Sequence, residues 1–154
     1  MMAAVCHRSA MPLAAMAGAW VMLVLLAACP SRDPRLLEPA AAAELMHRNR
    51  SNPEFMILDV RTPEEFSQGH IEGAVLLNYY SPDFRDRFAA LDRGATLFVY
   101  CRSGNRTSHV LALADSLGFQ RIFELRGGIL AWKGAGMPLA SGEADLKRAP
   151  GPQG

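Results

Sequence analysis

The chain has 154 residues, room for one folded domain, and from Pro30 onward its charged and apolar residues mix as in an ordinary soluble protein. Lys and Arg number 16 and Asp and Glu 15, so setting Arg8 aside with the leader leaves a formal balance of 15 against 15. No basic run is interleaved with aromatics, and nucleic acid is therefore not an expected partner.

The leader comes first. His7 and Arg8 form a weak basic segment, an uncharged run follows from Ala10 to Ala28, and Leu26-Ala27-Ala28-Cys29 ends it. Small side chains before a cysteine suit the pocket of a signal peptidase. These four residues resemble the lipobox of bacterial lipoproteins. The resemblance implies that residues 1–28 are removed, that Cys29 is lipidated, and that the domain is exported and held to a membrane, on the periplasmic side in a Gram-negative cell. An uncleaved transmembrane anchor is the alternative, since the run is near the lower length limit for spanning a bilayer; a plain secretory signal with a soluble periplasmic domain is another.

Residues 29–35 read as a tether and residues 36–139 as the domain. The stretch from Pro39 to about Asn49 is alanine-rich and predicts a helix, with proline at its first turn. Phe55 to Val60 is a short apolar run of buried-strand type. Thr62-Pro63-Glu64-Glu65 has the pattern of a capping box and starts a short helix that Gly69 stops. Ala74 to Leu77 predicts a strand, Ser81-Pro82-Asp83 a capped helix running to about Leu91, and residues 95–100 a further strand. A helix from about Thr107 to Leu117 presents Val110, Leu111, Ala114 and Leu117 as its apolar face. Ile122 to Leu125 is the last strand, and Arg126-Gly127-Gly128 turns into a helix whose Trp132 belongs to the core. Residues 140–154, rich in Gly, Pro and Ala, read as a disordered tail. Strands alternating with helices argue for an α/β domain with a largely parallel sheet, whose sites gather at the C-terminal strand ends.

One such end carries Cys101-Arg102-Ser103-Gly104-Asn105-Arg106. A strand, a tight glycine-containing loop and a helix make converging backbone N–H groups and a positive helix end, a cradle for an anion. A sulfur placed there loses its proton more easily than a free cysteine. Cys6 lies in the leader and Cys29 would be acylated, so Cys101 is the one free thiol expected in the domain, and it is expected to be exposed. Arg102, Ser103, Gly104, Asn105, Arg106 and Thr107 are the candidate substrate-binding residues, with Arg102 steering an anionic donor from the rim. Arg106 is expected to brace the loop by pairing with Asp59 or Glu65. Arg61 is expected to pair with Glu64 or Glu65, and Asp59 to support the loop. His70 and His109 have no expected part in the chemistry, and no metal-ligand pattern is present.

Four segments, taken together and in order, resemble the single-domain rhodanese family of sulfurtransferases. They are Leu58-Asp59-Val60-Arg61-Thr62-Pro63-Glu64-Glu65-Phe66, then Gly69-His70-Ile71-Glu72-Gly73-Ala74, then Tyr100 to Ser108 around the cysteine, then Gly127-Gly128-Ile129-Leu130-Ala131-Trp132. The resemblance implies a five-stranded parallel sheet flanked by helices. It also implies a reaction. The Cys101 thiolate takes the sulfane sulfur of a small anionic donor such as thiosulfate, and passes it from a persulfide to cyanide, a thiol or a protein thiol. No metal or organic cofactor is implied.

Three other readings compete. The fold is shared with dual-specificity phosphatases and some arsenate reductases, whose loops run Cys-x5-Arg; here the spacing is Cys101-x4-Arg106, and Thr107 stands where their arginine would be. A lipid-tethered persulfide carrier or a partner-docking module without turnover is also compatible with the sequence. A thiol–disulfide oxidoreductase is disfavoured because there is no Cys-x-x-Cys.

Overall fold

The computed structural model describes residues 33–141. Its strands are β1 (Leu36–Leu37), β2 (Phe55–Asp59), β3 (Ala74–Leu76), β4 (Thr96–Tyr100) and β5 (Ile122–Leu125). They form one parallel sheet of five strands in the order β1-β5-β4-β2-β3. The helices are α1 (Pro39–Arg48), α2 (Pro63–Ser67), α3 (Phe84–Ala89), α4 (Asn105–Leu117) and α5 (Gly128–Gly134). The leader, the proposed lipidation residue Cys29 and most of the tether lie outside the described residues, as does the tail from residue 142.

Period-two alternation along β4 explains the layers. Leu97 and Val99 join Phe84 and Phe88 of α3 and Val110, Leu111 and Ala114 of α4 in one buried cluster. Phe98 and Tyr100 join Ala42 of α1, Phe66 of α2, and Ile129 and Trp132 of α5 in the other. A parallel sheet covered on both faces needs apolar residues at every position, and Leu97 to Tyr100 are all 0% exposed. Each such side chain contributes roughly 1.5–3 kcal/mol on burial, so the strand that leads to Cys101 is the most firmly held in the sheet. Trp132 is core, as its sequence position predicts.

Several local expectations shift. β1 is only two residues long, too short for any periodicity, yet it pairs with β5 through Leu36 and Leu37. The α4 helix begins at Asn105, two residues before the expected Thr107, because Gly104 adopts φ +103° and ends the loop early. The α3 helix is shorter than residues 81–91: the Ser81 hydroxyl bonds the Asp83 carboxylate, and Asp83 makes no side-chain cap. At α2 the capping box forms, with Glu65 N donating to Thr62 Oγ1 (3.3 Å) and Thr62 N to Glu65 Oε2 (3.2 Å). Ala140, at the start of the segment expected to be disordered, forms an antiparallel bridge with His70.

Candidate active site

Asp59 of β2 and Tyr100 of β4 are register partners, so the loops that follow the two strands emerge side by side at one edge of the sheet. Cys101 is the first residue after β4. Its carbonyl accepts from Ile129 N (2.9 Å), and the Arg102 carbonyl accepts from Leu130 N (3.2 Å). The first turn of α5 thus clamps the cysteine loop from below. Gly128 makes this approach possible: at φ +61°, a Cβ there would sit 2.5 Å from both the Cys101 and Arg102 carbonyl oxygens. Backbone atoms cannot swing aside as a side-chain tip can, so only glycine fits.

The thiol is buried, not exposed as its loop position suggests: Cys101 is 1% accessible and its side chain belongs to the α3/α4 cluster. Arg102, Ser103 and Asn105 are exposed, so a reagent must pass this rim to reach Sγ. Gly104 N donates to Sγ at 3.1 Å, and Thr107 Oγ1 lies 3.8 Å from it. Burial pushes the thiol up, but the amides of Thr107, Gly104 and Ser103 and the Thr107 hydroxyl outweigh it. The thiol is held below its ordinary range. The loop therefore brings Ser103, Gly104 and Thr107 together as donors around the Cys101 sulfur. It leaves Arg102 and Asn105 on the rim.

The arginines divide. Arg106 grips Glu65 with both terminal nitrogens (Nη1 to Oε2, 2.7 Å; Nη2 to Oε1, 2.9 Å), and its guanidinium sits 5.6 Å over the Tyr80 ring. It braces the loop against α2. Arg61 pairs with Asp59, not with Glu64 or Glu65. Its Nε lies 2.9 Å from both carboxylate oxygens, and Nη2 lies 2.6 Å from Oδ2 and 2.9 Å from the Gly69 carbonyl. The expected partners are out of play because the capping box and Arg106 hold Glu65, while Asp59 faces Arg61 inside the protein. Asp59 thus supports the site through Arg61 and the β2 corner, with no hydrogen bond to the cysteine loop itself among the described residues. His70 stacks on Phe66 at 3.8 Å and His109 faces Tyr79 at 6.4 Å; neither is a hydrogen-bond partner of the sulfur. Among the described residues no cluster of three or more His, Cys, Asp or Glu side chains is placed to hold a metal ion.

Two residues of the site escaped the sequence. In the sequence Gly128 is only part of the Arg126-Gly127-Gly128 turn, with nothing that points to the cysteine loop. Glu124 on β5 is 4% exposed, and its Oε1 lies 2.5 Å from Thr107 Oγ1 and 3.3 Å from where a Gly104 Cβ would be. The available signal was the charged residue inside the otherwise apolar strand Ile122-Phe123-Glu124-Leu125.

A family model described as Rhodanese-like domain matches residues 39–135. The chain is 32% identical over 99 residues to a sulfurtransferase of Allochromatium vinosum, covering 64% of this chain and 91% of that protein. It is 32% identical over 105 residues to a thiosulfate sulfurtransferase of Pseudomonas aeruginosa, covering 68% of this chain and 93% of that one. Among solved structures, a rhodanese-related protein from Thermoplasma volcanium superposes with a TM-score of 0.57 at 26% identity, over 69% of this chain and 97% of that one.

Proposed function

The chain belongs to the rhodanese-like family, and from that premise we propose that it is a sulfurtransferase that carries a sulfane sulfur as a persulfide on Cys101. The observation that carries this reading is the buried Sγ with a backbone N–H at 3.1 Å and its acidity raised by loop amides. In the first step the Cys101 thiolate attacks the outer sulfur of thiosulfate or a persulfide donor. The donor's S–S bond breaks, and sulfite or a thiolate leaves with the bonding pair. In the second, cyanide or a thiolate attacks the outer sulfur of the Cys101 persulfide, and the Cys101 thiolate is regenerated. The amides that stabilise the thiolate remain in place for the leaving thiolate of the second step, where charge returns to Sγ. The sulfur rides on the protein, so neither step needs a metal or organic cofactor. Arg102, on the open rim, attracts the anionic donor, while Arg106 is committed to Glu65.

Mass spectrometry after exposure to thiosulfate tests the reading: an adduct of about 32 Da, one sulfur atom, is expected on the Cys101 peptide and on no peptide of Cys101→Ser. Transfer to cyanide is expected to vanish in that variant. Retained transfer overturns the mechanism, and an adduct without turnover marks a carrier rather than a catalyst. Export and lipidation at Cys29 rest on the leader residues alone. The mature protein is expected to begin at an acylated Cys29, and a peptide joining Ala28 to unmodified Cys29 would sink that part.

A further inference from the structure

The Thr107 hydroxyl has three acceptors in reach and one proton. Gly104 O is 2.9 Å away, Glu124 Oε1 2.5 Å and the Cys101 sulfur 3.8 Å. Were Glu124 an anion, it would take that proton in a charge-assisted bond, leaving none for the sulfur. It would also put a second negative charge beneath a loop built to hold one. A neutral acid reverses the direction: its own O–H donates to Thr107 Oγ1, and the threonine proton is free for Gly104 O or the sulfur. We propose that Glu124 is a positioning residue of the sulfur site, a neutral carboxylic acid that donates to Thr107 Oγ1 so that the Thr107 hydroxyl can serve the Cys101 thiolate.

The surroundings agree. Burial pushes the Glu124 carboxyl up, partly offset by the bond to Thr107. Of the charges that face it, Asp33 opposes ionisation and Arg126 and Arg35 favour it, and the Cys101 sulfur lies on the other side of the Thr107 hydroxyl that Glu124 bonds. Both arginines are committed elsewhere. Arg35 bonds Asp33 and Asp115 (2.7 Å to Asp115), and Arg126 Nε stands 3.2 Å from Glu38 Oε1, an ion pair lacking hydrogen-bond angles. A buried carboxyl with no cation of its own and a hydroxyl at 2.5 Å holds its proton. Thiol and carboxyl then share one negative charge between them and titrate as a coupled pair. A dianionic donor approaching the loop meets one charge instead of two.

The inference rests on the sulfurtransferase reading for its purpose but not for its test, which uses no sulfur donor. In the full chain labelled with ¹³C at the glutamate carboxyls, the Glu124 resonance is identified by its absence in Glu124→Gln. Its titration is compared with the pH profile of iodoacetamide alkylation at Cys101, read on the Cys101 peptide. The Glu124 carboxyl is expected to remain protonated at a pH where Cys101 has passed its alkylation midpoint. Because coupling is reciprocal, Cys101→Ser, which removes the thiolate, is expected to raise the ionisation constant of Glu124 about tenfold. Glu124→Gln keeps a neutral donor to Thr107 and is expected to leave the alkylation midpoint in place. The proposal is overturned if Glu124 ionises before Cys101, if Cys101→Ser leaves the Glu124 titration where it was, or if Glu124→Gln speeds alkylation below the midpoint about tenfold. A missing persulfide adduct, by contrast, overturns the function and leaves these titrations standing.

Discussion

At the end of β2 a full negative charge is buried and matched. Asp59 and Arg61 are 0% and 4% exposed at their side chains, joined at 2.6 Å, with Arg61 Nη2 also donating to the Gly69 carbonyl. At the end of the neighbouring β4 the Cys101 thiol is buried and held below its ordinary range with no ion-pair partner: amides and one hydroxyl surround the sulfur, and the Arg106 guanidinium, tied to Glu65, acts on it only through space. The two ends are level in the sheet and a strand apart. A matched ion pair is inert and serves the corner. A thiolate held mainly by dipoles keeps its nucleophilicity, since partial charges spread around it stabilise without neutralising it. The contrast separates structure from chemistry along one sheet edge.

The largest effect should come from breaking the matched end. Asp59→Asn leaves Arg61 buried without its counter-charge, an expected loss of about 3–5 kcal/mol of stability by urea unfolding. Molecules that remain folded should still form the Cys101 persulfide. A loss below about 1 kcal/mol would show that the β2 corner does not depend on the pair.

The brace between the two ends is weaker. Arg106 donates to Glu65 and holds its carboxyl below the usual carboxylate range. A depressed carboxylate contributes stability above its unfolded pKa of about 4.3, lost as pH falls through the folded value. Glu65→Gln should therefore lower stability by about 1 kcal/mol at neutral pH. The gap to the native chain should close as pH drops below about 4. A gap that stays constant down to acid pH would mean that the ion pair contributes nothing beyond packing.

The smallest effect is expected at the rim. Arg102→Ala should raise the KM for thiosulfate about threefold, with kcat little changed, as for an exposed charge that attracts donor and transition state alike. An unchanged KM would remove Arg102 from the site.

Much of this contrast was legible in the sequence. The loop from Cys101 to Arg106 reads as an anion cradle because strand, glycine and helix start are local features. The capping box at Thr62 and Glu65 forms from residues three apart. What was hidden is long-range. Nothing local says that Arg61 would turn back to Asp59 rather than forward along its helix, because the choice is made by burial and by the Gly69 carbonyl. The two residues of β1 carry no period. The thiol's burial, the Glu124 contact and the Gly128 clamp all join segments distant in sequence, Thr107 and Glu124 lying 17 residues apart, and only the folded sheet and helices bring them together.

That clamp has a consequence for the order in which the molecule is made. The amides of Ile129 and Leu130 that hold the Cys101 and Arg102 carbonyls belong to α5, the last of the described helices in chain order. A nascent or truncated copy ending before Gly128 lacks the two amides that hold the Cys101 and Arg102 carbonyls. The cysteine loop is thus fastened only once a segment made after it has docked beneath it.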